Sequence, residues 1–122
     1  MSVVSGLHEF VFSAHASERE RLLAFWSGLG FEPDAEGALS ATDAEALYGH
    51  GAALASIRLR HSGCAAHETG LVRLQCWDDL AGEGLGAHKP LGTGSRWMGM
   101  YTADILELRD SLSDFNSHID DR

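Results

Sequence analysis

Hydrophobic and polar positions alternate from residue 7 and then recur at helical spacing up to residue 30. Leu7 to Ala14, LHEFVFSA, is rich in aromatic and β-branched side chains and predicts a strand. Ser17 and Glu20 stand at capping-box spacing. Leu22, Leu23, Phe25, Trp26 and Leu29 then mark one face of a helix, and Gly28 and Gly30 offer the positive φ that ends one. Phe31 to Gly37, with Pro33, predicts a connection. Thr42 with Glu45, then Ala44, Ala46, Leu47 and Tyr48, predicts a short second helix stopped at Gly49. Ala53 to His61 sets Ile57 and Leu59 against Ser56, Arg58 and Arg60, and Leu71 to Trp77 is a second β-rich run. With the turn HSGCAAHETG between them, the two predict a hairpin with a long loop.

Asp78 to Ser95 is glycine-rich and predicts a linker or a long ordered loop. Trp97 to Thr102, WMGMYT, predicts a strand. Asp104 caps a helix expected through Ile105, Leu106, Leu108 and Leu112 to about Phe115, before the polar tail NSHIDDR. Strand then helix at 97–115 repeats strand then helix at 8–28. The fold class expected is α+β.

Composition narrows the function classes. With 122 residues, 44% of them hydrophobic and 22% charged, the chain has the balance of one globular domain. Acidic residues outnumber basic ones 18 to 9, for a net charge of −9. Such a chain lacks the basic footprint of a nucleic-acid or anionic-membrane binder. No apolar run reaches the roughly 20 residues of a membrane span, and the N-terminus shows no secretory signal. Two cysteines, Cys64 and Cys76, make no disulfide framework, so a cytoplasmic setting is expected.

Three stretches carry a resemblance: HEFVFSAHASERERLLAFWSGLGF at 8–31, LVRLQCWDD at 71–79 and RWMGMYTADILELRDSL at 96–112. Together they resemble the vicinal oxygen chelate superfamily, which includes glyoxalase I, the bleomycin-resistance proteins and the extradiol dioxygenases. The helix end LLAFWSGLGF is the most similar part. The resemblance implies a βαβββ module (about 6–78), a linker (79–95), the strand and helix of an incomplete second module (96–116) and a tail (117–122). In the family two such modules enclose a cavity with a mixed curled sheet. Two departures are expected here: module one has helix at Ala41 to Tyr48 in place of its second strand, and module two lacks room for its last three strands. The chain is then either the N-terminal part of a longer protein or takes the missing sheet from a partner. A half-built sheet leaves an open edge and an apolar face, so a homodimer is expected, with exchanged elements allowed.

The resemblance also implies where chemistry would sit. Family metal ligands lie on the first and last strands of each module, facing the cavity. His8 matches the first position. Arg73 stands where the family commonly has Glu, and Trp97 where it commonly has His; the fourth position falls on a strand this chain does not contain. Arginine and indole only donate hydrogen bonds, and a catalytic metal usually keeps three protein ligands. A divalent metal (Zn, Fe, Mn or Ni) therefore has one candidate ligand, His8, which alternatively bonds a backbone carbonyl at a strand end.

Alternation divides Val72, Leu74 and Cys76 from Arg73, Gln75 and Trp77. Arg73, Gln75, Trp77 and Trp97 would suit a planar, oxygen-bearing or anionic ligand. Alternatively this face meets solvent or a partner, and Arg73 pairs with an acidic residue. Phe10 and Phe12 share the face of His8, and line the same cavity or belong to the core. His61, Cys64, His67 and Glu68 are ligand types at no known finger spacing, so an exposed loop is expected. The glycines at 82–94 match no phosphate-loop motif, Lys89 being followed by Pro90. No nucleophile elbow is present. Three functions remain open: a lyase or dioxygenase acting on a metal-bound small molecule, a metal-free binder of a drug-like aromatic molecule like the bleomycin-resistance proteins, and a non-catalytic dimerising half of a longer protein.

Overall fold

The computed structural model describes residues 7–65, 70–80 and 102–112. The chain divides into two compact units, Met1–Leu80 and Ala81–Arg122. In the first, β1 (Glu9–His15) leads through a 3-10 turn at Ala16–Glu18 into α1 (Arg19–Gly28). Then follow β2 (Phe31–Leu39), α2 (Ala41–Tyr48), β3 (Leu54–His61) and β4 (Leu71–Trp77). The second unit contributes α3 (Ile105–Leu112). Among the described residues no helix is long and apolar enough to cross a membrane.

The four strands form one mixed sheet in the order β1-β4-β3-β2. β1 runs parallel to β4, and the β4–β3 and β3–β2 pairs are antiparallel. Strand, helix and three further strands is a βαβββ order, with α2 inserted between the second and third strands. The expected β3–β4 hairpin is present, in the register Leu54↔Trp77 to Leu59↔Val72.

One expectation is overturned. Phe31 to Gly37 is not a connection but most of β2, and helix 41–48 does not replace the second strand; it follows it. β2 is an outer strand and its register with β3 shifts between Pro33 and Ala35. A bulged outer strand is where a proline, which has no N–H for the ladder, is accommodated. The start of α1 differs too. Ser17 does not cap it; the His15 ring accepts from Ser17 N at 3.1 Å and closes the 3-10 turn, while Glu18 at the α1 N-cap makes no side-chain cap bond. α2 is capped by Ser40, which accepts from Asp43 N, and is closed by Gly49 in the left-handed region.

Residues paired across strands point to the same side of a sheet. On one side Phe10, Phe12 and Ala14 of β1 therefore join Val72, Leu74 and Cys76 of β4 and Ala55, Ile57 and Leu59 of β3. This is the side α1 covers: buried Trp26 packs on Phe12 at 5.8 Å and on Phe31 at 5.3 Å between ring centroids. α2 covers one end of the other side, where Ala44, Ala52, Leu54 and Trp77 form a second apolar cluster with Leu39 against it. In the second unit Asp104 Oδ1 accepts from the N–H groups of Leu106 and Glu107, the expected cap of α3. Residues 97–101 of the expected strand, the glycine-rich stretch from Ala81 to Ser95 and the helix end at Phe115 lie outside the described residues, and Thr102 is not in a strand.

Ile57 is fully buried at the middle of β3, so Ile57→Ala should lower unfolding free energy by about 2–5 kcal/mol, read as a fall in the urea midpoint. Gly30 has φ +88°, and a Cβ there would stand 2.7 Å from His61 Nε2. Gly30→Ala should therefore cost roughly 1 kcal/mol or more; an unchanged midpoint would refute this view of the α1–β2 turn.

Candidate functional site

The side of the sheet opposite α1 carries a row of charged residues beyond the reach of α2, with Val11 and Leu71 among them. Its centre is Arg73 on β4. Arg73 Nε donates to both carboxylate oxygens of Glu9 on β1, at 2.9 and 3.1 Å, and Nη1 donates to Ser56 Oγ on β3 at 2.9 Å. The residue directly opposite Arg73 on β3 is another arginine, Arg58. Arg58 grips Asp34 of β2 with two bonds, from Nε at 2.8 Å and from Nη2 at 3.2 Å. Read across the sheet, each strand supplies one charge, in the sequence Glu9, Arg73, Arg58, Asp34.

Arg60 extends the group. Its Nε lies 3.5 Å from Asp34, and Nη1 donates to the Cys64 carbonyl at 2.8 Å. Three guanidinium groups thus share two carboxylates, a local charge of +1 (three minus two) within a chain of net charge −9. Glu32, opposite Arg60 in the register, does not join them; its carboxylate accepts from Ser27 of α1.

A backbone irregularity delivers Asp34. Pro33 pairs with Leu59 on the α1 side, Ala35 pairs with Arg58 on the polar side, and Asp34 between them has no register partner. A bulge changes the parity of a strand and re-aims a side chain. Here it brings an acid to Arg58, 24 residues away in the chain. Arg58 hydrogen bonding holds the Asp34 carboxyl below its ordinary range despite partial burial, and the charges of Arg60 and Arg73 act in the same direction.

Beside the charges lies a neutral chain of bonds. Gln75, only 8% exposed, accepts from Ser13 Oγ at 3.3 Å and donates to the Tyr48 hydroxyl of α2 at 3.0 Å. A buried amide needs such partners. Tyr48 and His50 meet Trp77 edge to face, at 5.7 and 5.2 Å.

The expected site residues are not all together. Arg73, Gln75 and Trp77 share the polar side. Phe10 and Phe12 lie on the α1 side, and alternation assigns exposed His8 to that side as well. The alternative in which Arg73 pairs with an acid describes what is seen, and the acid is Glu9, next to His8. Trp97, His67 and Glu68 lie outside the described residues. Glu9, Ser13, Asp34, Tyr48, Ser56 and Arg58 were not expected; the polar alternation of Ser56, Arg58 and Arg60 was their only signal. Cys76 is buried on the α1 side and its thiol is pushed up by burial, which suits a packing residue rather than a nucleophile.

Comparison with known proteins comes down to the fold. No protein-family model matches the chain, and no curated protein matches it. A solved structure of a glyoxalase family protein from Bacillus cereus superposes with a TM-score of 0.66, covering 95% of this chain and 74% of that one at 11% identity. The fold is glyoxalase-like. The resemblance carried by the sequence motifs leads one to expect metal ligands on the first and last strands of the module. On the polar side those strands present Glu9 and Arg73, bonded to each other. Among the described residues no three His, Cys, Asp or Glu side chains are grouped to hold a metal. A guanidinium beside the one carboxylate does not fit a divalent cation.

The lowered Asp34 value gives a pH dependence with a definite sign. A carboxyl whose folded pKa lies below its unfolded value of about 3.9 contributes its full share of stability above that pH. That share is lost as pH falls through the lower folded value. Asp34→Asn should remove this part of the acid limb in urea midpoints recorded from pH 6 downward; an identical limb in the variant would contradict the pairing.

Proposed function

We propose that this chain binds a small oxygen-bearing molecule on the charged side of its sheet, through its arginines rather than through a metal. The supporting observation is the charge row itself: Glu9 and Arg73, on the first and last strands of the sheet unit, share the side opposite α1 and are paired with one another. Arg73 forms the floor of the site, buried Gln75 and Trp77 support it under α2, and half-exposed Tyr48 is the aromatic side chain at its edge. A positive group on an acidic protein favours an electron-rich ligand over the cationic aromatic drug that the net charge alone would suggest. The reading is one of binding; no proton transfer or nucleophilic step is assigned to these residues.

The expected homodimer has a physical place in this reading. Among the described residues β1 has no strand on its outer side, and Leu7, Phe10 and Val11 there are exposed. An uncovered strand edge with apolar side chains is a pairing template, and a second copy would cover it.

A thermal-shift screen of small oxygen-bearing molecules, run with and without EDTA, tests the function. At least one compound should raise the melting temperature equally in both conditions and quench tryptophan fluorescence, with both responses reduced in Arg73→Gln. Hits that vanish with EDTA and return with a divalent metal would overturn the metal-free reading, and a screen without hits would overturn binding. Sedimentation should give a dimer, and a monomer at every concentration would remove the self-association.

A further inference from the structure

Arg58 and Arg73 face each other as direct cross-strand partners on the two central strands. Like charges in that relation repel, and sheets ordinarily avoid them. The flanking acids relieve the repulsion from outside only. Glu9 takes Arg73 from the β1 side and Asp34 takes Arg58 from the β2 side. No carboxylate among the described residues is bonded to both.

Arg58 spends Nε and Nη2 on Asp34, and Arg73 spends Nε on Glu9 and Nη1 on Ser56. Arg58 Nη1 and Arg73 Nη2 remain without an acceptor among the described residues. A guanidinium can only donate, so the Ser56 oxygen must accept from Arg73 and its own proton points elsewhere. The Tyr48 hydroxyl accepts from Gln75 in the same way, leaving its proton to donate. The face therefore offers donors, while its carboxylate acceptors are already engaged. Both arginines remain reachable, with about a quarter of each side chain exposed: 26% for Arg58 and 28% for Arg73.

We propose that the Arg58–Arg73 pair, with the Ser56 hydroxyl, is a seat for a small oxyanion, the carboxylate or phosphate group of the ligand. The inference rests on the reading that this face binds a small molecule, and it names the chemical class. An oxyanion seated on this pair accepts from the uncommitted N–H groups of the two guanidiniums and from the Ser56 hydroxyl, and offsets their like-charge repulsion. A neutral amide of the same shape brings a carbonyl oxygen but no charge, and a cation is repelled.

The test is NMR titration with benzoate, benzamide and benzylamine, and separately with inorganic phosphate, following the arginine Nε–H signals and the Trp77 indole. Benzoate or phosphate should move the Arg58 and Arg73 signals together, with benzamide and benzylamine leaving them in place. Arg58→Gln and the charge-balanced pair Glu9→Gln with Arg73→Gln should each weaken benzoate about tenfold or more, the range of a lost charge-assisted bond. Ser56→Ala, which leaves every ion pair intact, should weaken it less and guards against variants that fail to fold. Equal responses to benzoate and benzamide would overturn the oxyanion seat yet leave small-molecule binding standing. Shifts confined to Arg60, or none with either anion, would also overturn the seat, whereas the thermal-shift screen decides the wider reading on its own.

Discussion

Two guanidinium groups side by side on the central strands of a sheet set a requirement that much of this unit meets. Each must be neutralised and hydrogen-bonded, because a partly buried charge without partners costs several kcal/mol. Neither central strand supplies the acid itself. Glu9 comes from one outer strand and Asp34 from the other, so the ion pairs cross the sheet at both flanks and tie all four strands to one register. A slip of one residue in either outer strand would turn its acid to the other face. The apolar side acts through packing in the same sense: Trp26 sits against Phe12 of β1 and Phe31 of β2, the two outer strands again.

The two helices divide the sheet's surfaces between them. α1 buries one side; α2 buries only the end of the other, around Trp77 and Leu54. The rest of that side carries the charge row, with Val11 and Leu71 among it, and the α2 insertion also places the Tyr48 hydroxyl over Gln75. The short helix makes a border, with half-exposed Tyr48 at one edge and the charged residues beside it.

Much of this was legible in the sequence, for reasons that differ by element. β3 and β4 have clear alternation and flanking turn residues, and their pairing follows. The helix at 41–48 is legible from its apolar spacing and Gly49, although its cap is Ser40 rather than Thr42. β2 was not legible, because Pro33 and three acidic residues within six positions have the composition of a loop; an outer, bulged strand tolerates both. Asp34 was hidden by that same bulge, which breaks the alternation from which its side would be read. The placing of Phe10 and Phe12 failed to follow from sequence for another reason. Alternation sorts residues within a strand, but which parity of β1 matches which parity of β4 is set by the register Phe10↔Val72, and no local pattern encodes it. His8 drew notice as a ligand type when its neighbour Glu9 was the residue facing Arg73.

Charge distribution gives the last constraint. Charges more than about 8–10 Å apart are largely screened at physiological salt, so the chain's net −9 acts on a ligand mainly at long range. The three arginines act at contact, where water is partly excluded and each interaction is stronger. The two effects oppose one another for an anion. The protein as a whole slows its approach, and the guanidinium pair holds it once seated. Added salt would speed the first step and weaken the second, so the net charge and the charge row leave separate marks on association and dissociation rates. For a cation the first mark reverses: it is drawn to the surface by the net charge and repelled at contact by the arginines.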